Sequence, residues 1–454
     1  MATEPGPSPS GAGWASDVLT TWGRARHART LTHLPGENDA DLARQITGSD
    51  GTLIVYGGGR CYGDAALNSG GRTILSRARR RIIELDRAAC LIVAEAGVTF
   101  TDLSKLLHPV GLTYPVAAAT GAVTLGGALV NDLHAKNHHS AGSFGQHVIW
   151  FDLMLADGSV TRVDRSSDPE LFKATLGGLG LTGIVLRLAL KLVPIKADAA
   201  DVRYERMADI DAFLDALEPG RLKAPFWFGW VDALATGTNL GRGILETGSY
   251  APDSHGVLPA PKPRAVPIDL PASAMHPAII ARYNARRWHK LPAAGVSVRK
   301  PLAPFYFPLD HFKDFNRVYG RRGFYSIHFG IPLGERDCVK KLLLEISRAR
   351  AASIASVLKP MGGPGEGYIS FPMKGYAFAC DLPRRPGVEA LHQRLERIVL
   401  AHGGRLYAVK DALMTAEGFQ RMFPDLDRFR AVLERVDPSG RFQSDMSRRL
   451  RIRP

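Results

Sequence analysis

Paired cysteines and long apolar runs are missing from this chain of 454 residues, and we expect no secretory leader at its start. The four cysteines are scattered without a CxxC pair, which argues against structural zinc and a disulfide framework and fits a reducing compartment. No run of about 18 apolar residues occurs, so a membrane-spanning helix is not expected. The start, MATEPGPSPSGAGWAS, lacks the basic and apolar regions of a secretory signal. We therefore expect a disordered tail over residues 1–14 and a protein that is cytoplasmic or peripheral at the inner membrane.

Acidic residues are the minority among the charges, 44 against 58 basic residues, for a formal net charge of +14. A basic surface attracts nucleic acid, anionic lipid or an anionic substrate. The densest basic clusters are RARRR (77–81), ARYNARRWHK (281–290) and RRLRIR (448–453), and none accompanies a nucleic-acid-binding signature. We expect no nucleic-acid partner, and a phosphate-bearing substrate or peripheral contact with an anionic membrane fits the charge at least as well.

The chain is too long for one ordinary core, and its first part reads as a mixed α+β domain over residues 15–195. Within TFTDLSKLLHPVG, Thr101 is predicted to cap a helix. The alternation from Ile184 to Leu192 predicts a strand with one apolar face. Other strand-like runs lie at 52–56, 91–96 and 147–155.

The pattern changes after residue 195, which predicts a second domain over residues 196–404. A helix (DIDAFLDAL), an aromatic strand (APFWFGWVDAL), a further strand (GFYSIHFGIPL) and a long helix (RDCVKKLLLEISRARAA) are indicated there. Residues 250–277 are rich in proline and lack periodicity, which predicts a mobile loop or lid.

Three glycine-rich loops stand out in the first domain. GGGRCYGD (57–64) follows a strand directly, TGAVTLGGALVNDLH (120–134) comes next, and LGGLGLTG (176–183) contains a literal GxGxxG. Consecutive glycines let backbone N–H groups point into one concavity, which suits a pyrophosphate. The GxGxxG has a helix before it and a strand after it, the reverse of the dinucleotide fingerprint, so a Rossmann site is not expected. Together the loops predict one extended ligand contacted at three places.

The loop LVNDLHAKNHHSAGSFGQHV (129–148) holds four histidines, His134, His138, His139 and His147. Metal ligation is the main rival to a cofactor platform. His138 and His139 are adjacent and would point apart, and no acidic residue follows at HExxH-type spacing. We therefore predict no metal and structural roles for the histidines other than His134.

Seven segments carry a family resemblance: GRCYGDAALNSGG, VTLGGALVNDLHAKNHHSAGSFGQHV, DLMLADG, ELFKATLGGLGLTGIVLRL, FYFPLDHFKDFNRVYG, GGRLYAVKDALMTAE and DPSGRFQSDMSRRL. They resemble the vanillyl-alcohol-oxidase (PCMH-type) FAD-binding superfamily and, within it, the decaprenylphosphoryl-β-D-ribose 2'-oxidase family, to which HAKNHHSAGSFG is specific. The resemblance implies an α+β fold, in which a PCMH-type FAD-binding domain carries an inserted α+β substrate domain with an antiparallel sheet flanked by helices. It also implies that the C-terminal segment, 405–454, returns to the FAD domain.

The resemblance further implies noncovalent FAD and oxidation of the 2'-hydroxyl of decaprenylphosphoryl-β-D-ribose, a lipid-linked phospho-sugar, to a 2'-keto intermediate. This is the first half of an epimerisation to the arabinose form, for arabinan in the cell envelope. A short-chain-type NAD(P)H-dependent keto reductase would complete it. Cys61 stands where some relatives place a flavin-linking histidine. It could link to the flavin through a thioether, or it could simply be a small residue in a turn.

By the same resemblance, sixteen residues would contact FAD: Gly57, Gly58, Gly59, Arg60, Cys61, Tyr62, Gly63, Gly121, Thr124, Gly126, Gly127, His134, Gly178, Gly183, Ile184 and Tyr407. The substrate would face Lys136, Tyr306, His328, Lys359 and Lys410. The expected catalytic residues are Lys410 and His134. Lys410 is the candidate for a fixed cation that stabilises the charge left by hydride transfer, and either residue could accept the hydroxyl proton.

The sequence departs from the family in the substrate pocket. Ala379 takes the position of a family cysteine, and Cys380 is predicted to point to the opposite face of the strand. Ser326 and His328 replace two glutamines. The sugar and the lipid carrier therefore stay open.

Two rival functions remain at this point. One is an FAD-dependent alditol or aldonolactone oxidase acting on a soluble sugar, and the other is a non-catalytic basic protein that binds nucleic acid or a membrane surface. Three glycine loops and a HAKNHH block serve no purpose in charge-driven binding. A yellow protein with a flavin spectrum would separate the enzymes from the third possibility.

Overall fold

The computed structural model of the protein describes residues 13–252, 254 and 262–453. Residues 1–12 of the predicted tail lie outside this range. The elements mix helices with mainly antiparallel sheets, so the predicted α+β class is confirmed. No helix in the described ranges has the length and apolar character needed to cross a bilayer.

The first part of the chain builds two sheets. A four-stranded sheet has the order β1-β2-β4-β3, with β1 and β2 antiparallel and the other pairs parallel. Its strands are β1 (Ala15–Thr20), β2 (His27–His33), β3 (Leu53–Tyr56) and β4 (Arg72–Leu75). An antiparallel five-stranded sheet has the order β5-β6-β10-β8-β9, from β5 (Ile82–Asp86), β6 (Leu91–Glu95), β8 (Val148–Met154), β9 (Val160–Asp164) and β10 (Ile184–Lys191). Two short strands, β7 (Leu112–Thr113) and β11 (Val193–Pro194), pair with each other.

Helices connect these strands. They are α1 (Asp39–Thr47), α2 (Phe100–Leu107), α3 (Leu125–Val130), α4 (His138–Ala141) and α5 (Pro169–Thr175). The predicted start of α2 is wrong by two residues, because Thr99 is the cap and Thr101 lies inside the first turn. Thr99 accepts a hydrogen bond from the amide of Asp102, whose carboxylate accepts one from the amide of Thr99. This reciprocal capping box satisfies two amides that would otherwise lack partners.

The predicted single apolar face of β10 is also wrong. Ile184 and Leu186 pack in a small cluster with Met154, whereas Leu188 and Leu190 pack in the main core. The register of β10 against β8 shifts just after residue 185, which is a β-bulge. A bulge adds one residue to the strand and turns the following side chains to the other face. One strand therefore serves two cores.

The middle of the chain builds an antiparallel eight-stranded sheet with the order β16-β12-β14-β13-β19-β20-β18-β21. Its strands are β12 (Ala199–Met207), β13 (Phe226–Val231), β14 (Gly243–Tyr250), β16 (Val296–Pro301), β18 (Phe324–Pro332), β19 (Ser356–Met361), β20 (Gly375–Pro383) and β21 (Arg405–Leu406). The accompanying helices are α6 (Ile210–Ala216), α7 (Pro277–Lys290), α8 (Leu302–Tyr306), α9 (Arg336–Arg348) and α10 (Val388–Ala401). Apolar side chains of α9 and α10 are buried in the main core, as expected for amphipathic helices on a sheet.

The C-terminal segment contacts both parts of the chain. Its strand β21 pairs with β18, and its helices are α11 (Ala416–Met422), α12 (Leu426–Val436) and α13 (Asp445–Arg449). Phe442 forms a parallel bridge with Leu53, and the Arg449 guanidinium donates to both carboxylate oxygens of Asp64 at 2.6 and 3.0 Å. The assignment of this segment to the first domain stays a prediction, as do the boundaries at 195 and 404.

The proline-rich segment is only partly described, since residues 253 and 255–261 lie outside the described range. Its second half has structure that the pattern did not predict. Here β15 (Arg264–Ala265) pairs in parallel with β17 (Phe312–Lys313), and a 3₁₀ helix spans Ala272–Met275. Asp269 forms an ion pair with Arg24. Whether the segment moves stays a prediction.

Candidate active site

A cavity of about 930 Å³ lies between the glycine loops, the histidine-rich loop and the large sheet. Its volume and elongated lining suit one ligand that passes several loops. Most of the predicted site residues line it: Gly57, Gly58, Gly59, Arg60, Cys61, Tyr62, Gly63, Thr124, Gly126, Gly127, His134, Lys136, Gly183, Tyr306, His328, Lys359, Tyr407 and Lys410.

Three predicted cofactor contacts do not line the cavity. The Ile184 side chain is buried in the small cluster beside Met154. A Cβ at Gly178 would meet the carbonyl oxygen of Ala174 at 2.0 Å, so this glycine serves packing against α5. The amide of Gly121 donates to Asp310 at 2.7 Å. Only the neighbours of these three residues reach the cavity wall.

The first two glycine loops pack directly against each other. A Cβ at Gly58 would lie 2.1 Å from the carbonyl oxygen of Ala122, and one at Gly57 would lie 2.7 Å from Oγ1 of Thr124. Gly59 adopts φ +64°, a left-handed conformation that disfavours other residues. The glycines are therefore required by loop-on-loop packing as well as by any ligand.

Arg60 supplies a buried positive charge beside this cradle. Its guanidinium lies over the Trp22 ring at 4.3 Å, and its Nε is buried without a hydrogen-bond partner among the described residues. Burial lowers the pKa of Arg60, and the nearby Asp310 partly opposes that shift. A buried cation with an unmatched donor, next to backbone amides freed by glycine, fits the pyrophosphate of FAD.

His134 and Lys359 form a buried pair that also lines the cavity. The Lys359 ammonium donates to Nδ1 of His134 at 2.6 Å and to the carbonyl of Ala135 at 2.7 Å. Burial, followed by the charge of Lys359, lowers the pKa of His134 well below its usual value. Burial, followed by the charge of Lys410, also lowers the pKa of Lys359. Because Nδ1 accepts, the proton of the neutral imidazole sits on Nε2.

His328 differs from the loop histidines in that both of its ring nitrogens lack a partner among the described residues. It is buried on β18, 5.0 Å from the His134 ring, and neither ring nitrogen has a hydrogen-bond partner among the described residues. Burial, followed by the charges of Lys410 and Lys359, lowers the pKa of His328 well below its usual value. A neutral, unpartnered imidazole facing a cavity is suited to bind a hydroxyl or accept its proton.

Lys410 places a second cation in the same cluster. It follows β21 in a 3₁₀ turn, and its Nζ lies 5.3 Å from the Tyr62 ring centroid. Burial lowers the pKa of Lys410, whereas the carboxylate of Asp381 raises it. Burial in turn raises the pKa of Asp381 to about 6. Sequence reasoning missed Asp381, although an acidic residue inside the apolar strand YAFACDLP was a visible signal.

Two predicted substrate residues already have protein partners. Lys136 forms an ion pair with Glu246 at 2.8 Å and donates to the carbonyl of Phe305 at 2.8 Å. The Tyr306 hydroxyl lies 2.6 Å from that of Tyr250. Lys136 and Tyr306 both line the cavity, but the Lys136 ammonium and the Tyr306 hydroxyl already have protein partners. Their side chains therefore contribute mainly to the shape of the cavity.

The remaining histidines of the loop hold backbone together, in keeping with the predicted structural roles. Nδ1 of His138 accepts from the amide of Gly362 at 3.0 Å. His139 contacts the carbonyl of Ala224 at 3.1 Å and His147 that of Ala141 at 2.7 Å, each through Nε2. No group of three or more His, Cys, Asp or Glu residues in the described ranges could hold a metal ion.

Ala379 and Cys380, the two residues of β20 at which the sequence departs from the family, pair with different residues of β18. Ala379 pairs with His328, whereas Cys380 pairs with Ile327 and accepts from the Ser356 hydroxyl at 3.2 Å. Cys61 lines the cavity, and burial raises its pKa to about 12, so its thiol stays protonated. A protonated thiol is a poor nucleophile, which agrees with noncovalent cofactor binding.

Comparison with known proteins decides the family. Residues 37–164 match the family described as FAD binding domain, and residues 356–450 match the family described as D-arabinono-1,4-lactone oxidase. The chain is 35% identical to the decaprenylphosphoryl-beta-D-ribose oxidase of Mycolicibacterium smegmatis (strain ATCC 700084 / mc(2)155), over 96% of this chain and 97% of that protein. The chain belongs to the decaprenylphosphoryl-β-D-ribose oxidase family.

More distant similarity extends to other flavoprotein oxidases. The chain is 25% identical to the L-gulonolactone oxidase of Scyliorhinus torazame over 80% of this chain and 81% of that protein. A protein of Streptomyces coelicolor whose function is not described is 33% identical over 78% of this chain and its whole length. As a member of its family, the chain is an FAD-dependent oxidoreductase, and the second rival function, a non-catalytic binding protein, loses its support.

Proposed function

We propose that the chain oxidises the 2'-hydroxyl of a pentose carried on a polyprenyl phosphate, decaprenylphosphoryl-β-D-ribose, to the 2'-keto compound. The identity to the Mycolicibacterium smegmatis oxidase over nearly the whole chain supports this substrate. The observation that carries the proposal is that one cavity is lined by a cation, Lys410, and by a buried neutral imidazole, His328, whose two ring nitrogens have no hydrogen-bond partner among the described residues.

FAD would be held by the first two glycine loops, with Arg60 against its pyrophosphate. When bound, FAD accepts the hydride from the carbon that carries the hydroxyl. Tyr407, whose hydroxyl donates to the carbonyl of Asn131 at 2.8 Å and whose ring stacks on Phe371, would form a rigid wall beside the flavin. This aromatic wall also excludes water from the reacting carbon.

The roles of the two predicted catalytic residues differ in this proposal. Lys410 keeps a fixed positive charge where negative charge develops, which is worth most in a buried site. His134 holds its Nδ1 against Lys359, so it presents Nε2–H and can donate a hydrogen bond to the substrate. It has no free nitrogen for the hydroxyl proton. His328 has one, and we assign the proton to His328.

A soluble sugar lactone is the second candidate substrate. The match of residues 356–450 to the D-arabinono-1,4-lactone oxidase family favours it, as does the similarity to L-gulonolactone oxidases. Both matches cover less of the chain, or cover it at lower identity, than the match to the lipid-linked sugar oxidase. We therefore rank the polyprenyl-linked pentose first.

The product needs a second enzyme. A 2'-keto sugar becomes the arabinose epimer only when hydride returns to the opposite face of the carbonyl. We propose that a short-chain-type NAD(P)H-dependent keto reductase performs this step, and that the chain works in peripheral contact with the membrane that carries the lipid.

The test is anaerobic bleaching of the flavin band by defined donors. Purified yellow protein is mixed with decaprenylphosphoryl-β-D-ribose, with its arabinose epimer, or with D-arabinono-1,4-lactone. We expect the riboside to bleach the flavin fastest, and trapping with borodeuteride to place deuterium at C2'. Faster bleaching by the lactone, or deuterium at another carbon, would overturn the proposal.

A further inference from the structure

Residues 262–313 concentrate positive charge and exposed apolar side chains. They contain nine Lys or Arg and two Asp, a net of +7, which is half of the +14 of the whole chain. Among the described residues, twelve large hydrophobic side chains are exposed, and five of these fall in this stretch: Ile268, Ile279, Tyr283, Val298 and Phe312. Single exposed apolar residues are ordinary, but a cluster within a basic stretch marks an interaction surface.

Helix α7 carries the centre of this surface. Ile279, Arg282, Tyr283, Arg286 and Lys290 recur at helical spacing, and all five are exposed. The helix has no acidic residue, and within the described part of the chain none of its three cations on this face makes an ion pair.

The other face of α7 is already used. Ile280 packs in a buried cluster with Tyr319 and Phe324, and the buried Asn284 donates to Asp232 at 2.9 Å. The exposed face is therefore not a core face left uncovered. It is a second, mixed apolar and basic face on a helix that is held firmly in place.

The cavity mouth is connected to this helix by a short segment that hydrogen-bonds to residues 313 and 317. Phe312 and Lys313 of β17 line the cavity. The amide of Val266 donates to the carbonyl of Lys313 at 3.1 Å, and the amide of Leu270 donates to that of Arg317 at 3.0 Å. The chain then enters the 3₁₀ helix that precedes α7, so a hydrogen-bonded segment joins the helix to the residues at the cavity mouth.

We propose that the exposed face of α7, together with Ile268, docks on an anionic lipid bilayer and holds the cavity mouth against it. Interleaved apolar and cationic side chains on one helical face are what an interfacial helix needs, because the apolar groups enter the headgroup boundary while the cations meet lipid phosphates. An acidic protein partner would need no exposed isoleucine among the arginines. The purpose of this docking rests on the proposed function, because a lipid-linked substrate lies in a membrane. The vesicle-binding test does not depend on the substrate.

Co-sedimentation with vesicles tests the docking face directly. The full-length holoprotein is mixed with phosphatidylcholine vesicles with or without phosphatidylglycerol. We expect binding only with phosphatidylglycerol, and weaker binding as salt rises. The double variant Arg282→Glu/Arg286→Glu should partition at least about 25-fold less, since each basic residue at such a surface contributes about fivefold. The single variant Ile279→Ser should also bind anionic vesicles more weakly than the wild type.

The matched control is Arg394→Glu/Arg397→Glu on α10, which changes the net charge by the same amount on a helix of the same length. It should bind like the wild type. Equal losses in both double variants would mean that net charge alone drives binding, and unchanged binding of the α7 variant would also overturn the proposal. So would binding to an acidic protein partner without any vesicle binding.

Flavin bleaching by a short-chain, water-soluble polyprenyl-phosphate riboside separates this inference from the proposed function. The α7 variants should bleach at the wild-type rate with that donor, and slower than the wild type only with the long-chain donor in vesicles. If the short-chain donor never bleaches the flavin of the wild type, the proposed function fails while vesicle binding still decides the docking face.

Discussion

Replacing Lys410 by alanine should slow hydride transfer far more than it weakens FAD binding. Lys410 is half-buried in the cavity wall; burial lowers its pKa, the Asp381 carboxylate raises it, and its ammonium acts where water is partly excluded. Loss of one preorganised charged donor costs about 3–4 kcal/mol of barrier, on the order of 10²–10³ in rate. The pyrophosphate would be held by the backbone amides of Gly57–Gly59 and by the Arg60 guanidinium, which do not need the Lys410 ammonium, so the variant should stay yellow. Lys410→Arg should not restore the rate, because a planar guanidinium replaces a point charge.

Anaerobic stopped-flow bleaching at saturating substrate measures this effect, with the flavin content of each variant fixed beforehand by absorbance. Lys313→Ala is the control, because Lys313 also lines the cavity but is exposed at its mouth. It should bleach like the wild type with a soluble donor. If Lys410→Ala bleaches as fast as wild type, the assigned role is wrong. If it loses FAD, the residue belongs to the cofactor cradle instead.

Three further predictions concern proton transfer, stability and cofactor binding. His328→Phe should slow bleaching by about 10²–10⁴-fold at pH 7, and its bleaching rate should partly recover as the hydroxide concentration rises. The wild-type rate should not change from pH 6 to 8, because His328 is already neutral there. Equal pH profiles of the two proteins would contradict the assignment. The folded-state pKa of Asp381 is raised from 3.8 to about 6, so the protonated carboxyl stabilises the fold; this stability is fully present below pH 3.8 and is lost as the pH rises through about 6. Asp381→Asn should therefore raise the free energy of unfolding by roughly 3 kcal/mol at pH 8 but not at pH 3.5. Urea unfolding at the two pH values measures the difference. Gly58→Ala should cut FAD occupancy at least about tenfold, since its Cβ would meet the Ala122 backbone, while Gly36→Ala, with no atom within 4 Å of its Cβ, should keep the flavin absorbance of wild type.

Local signals were enough for much of the fold. The strand before GGGRCYGD, the helix before LGGLGLTG and the strand after it all lie where the pattern placed them, because turn residues and short-range periodicity mark such elements directly. Where the prediction failed, a longer-range effect decided. The bulge in β10 depends on its partner strand β8, and the pairing of β15 with β17 joins residues about 50 positions apart, which no local period reveals.

The sequence by itself determined which chemistry the chain can carry. The glycine loops, the HAKNHH block and the lysines of LYAVKD and SVLKPM are visible as residue types in order, and the family similarity follows from them. It also indicated that His138, His139 and His147 are structural, since a loop imidazole commonly binds nearby backbone carbonyls.

Only the tertiary structure decided which of these groups are free to act. Lys136 and Lys359 look alike in the sequence, yet Lys136 is neutralised by Glu246, which arrives from β14, while Lys359 binds Nδ1 of His134. Within the described ranges, the elements packed around His328 offer aromatic rings and no hydrogen-bond partner, so both of its ring nitrogens are unpaired there. Protonation state depends on the burial and charge supplied by distant segments of the chain, and those segments meet only in the folded molecule.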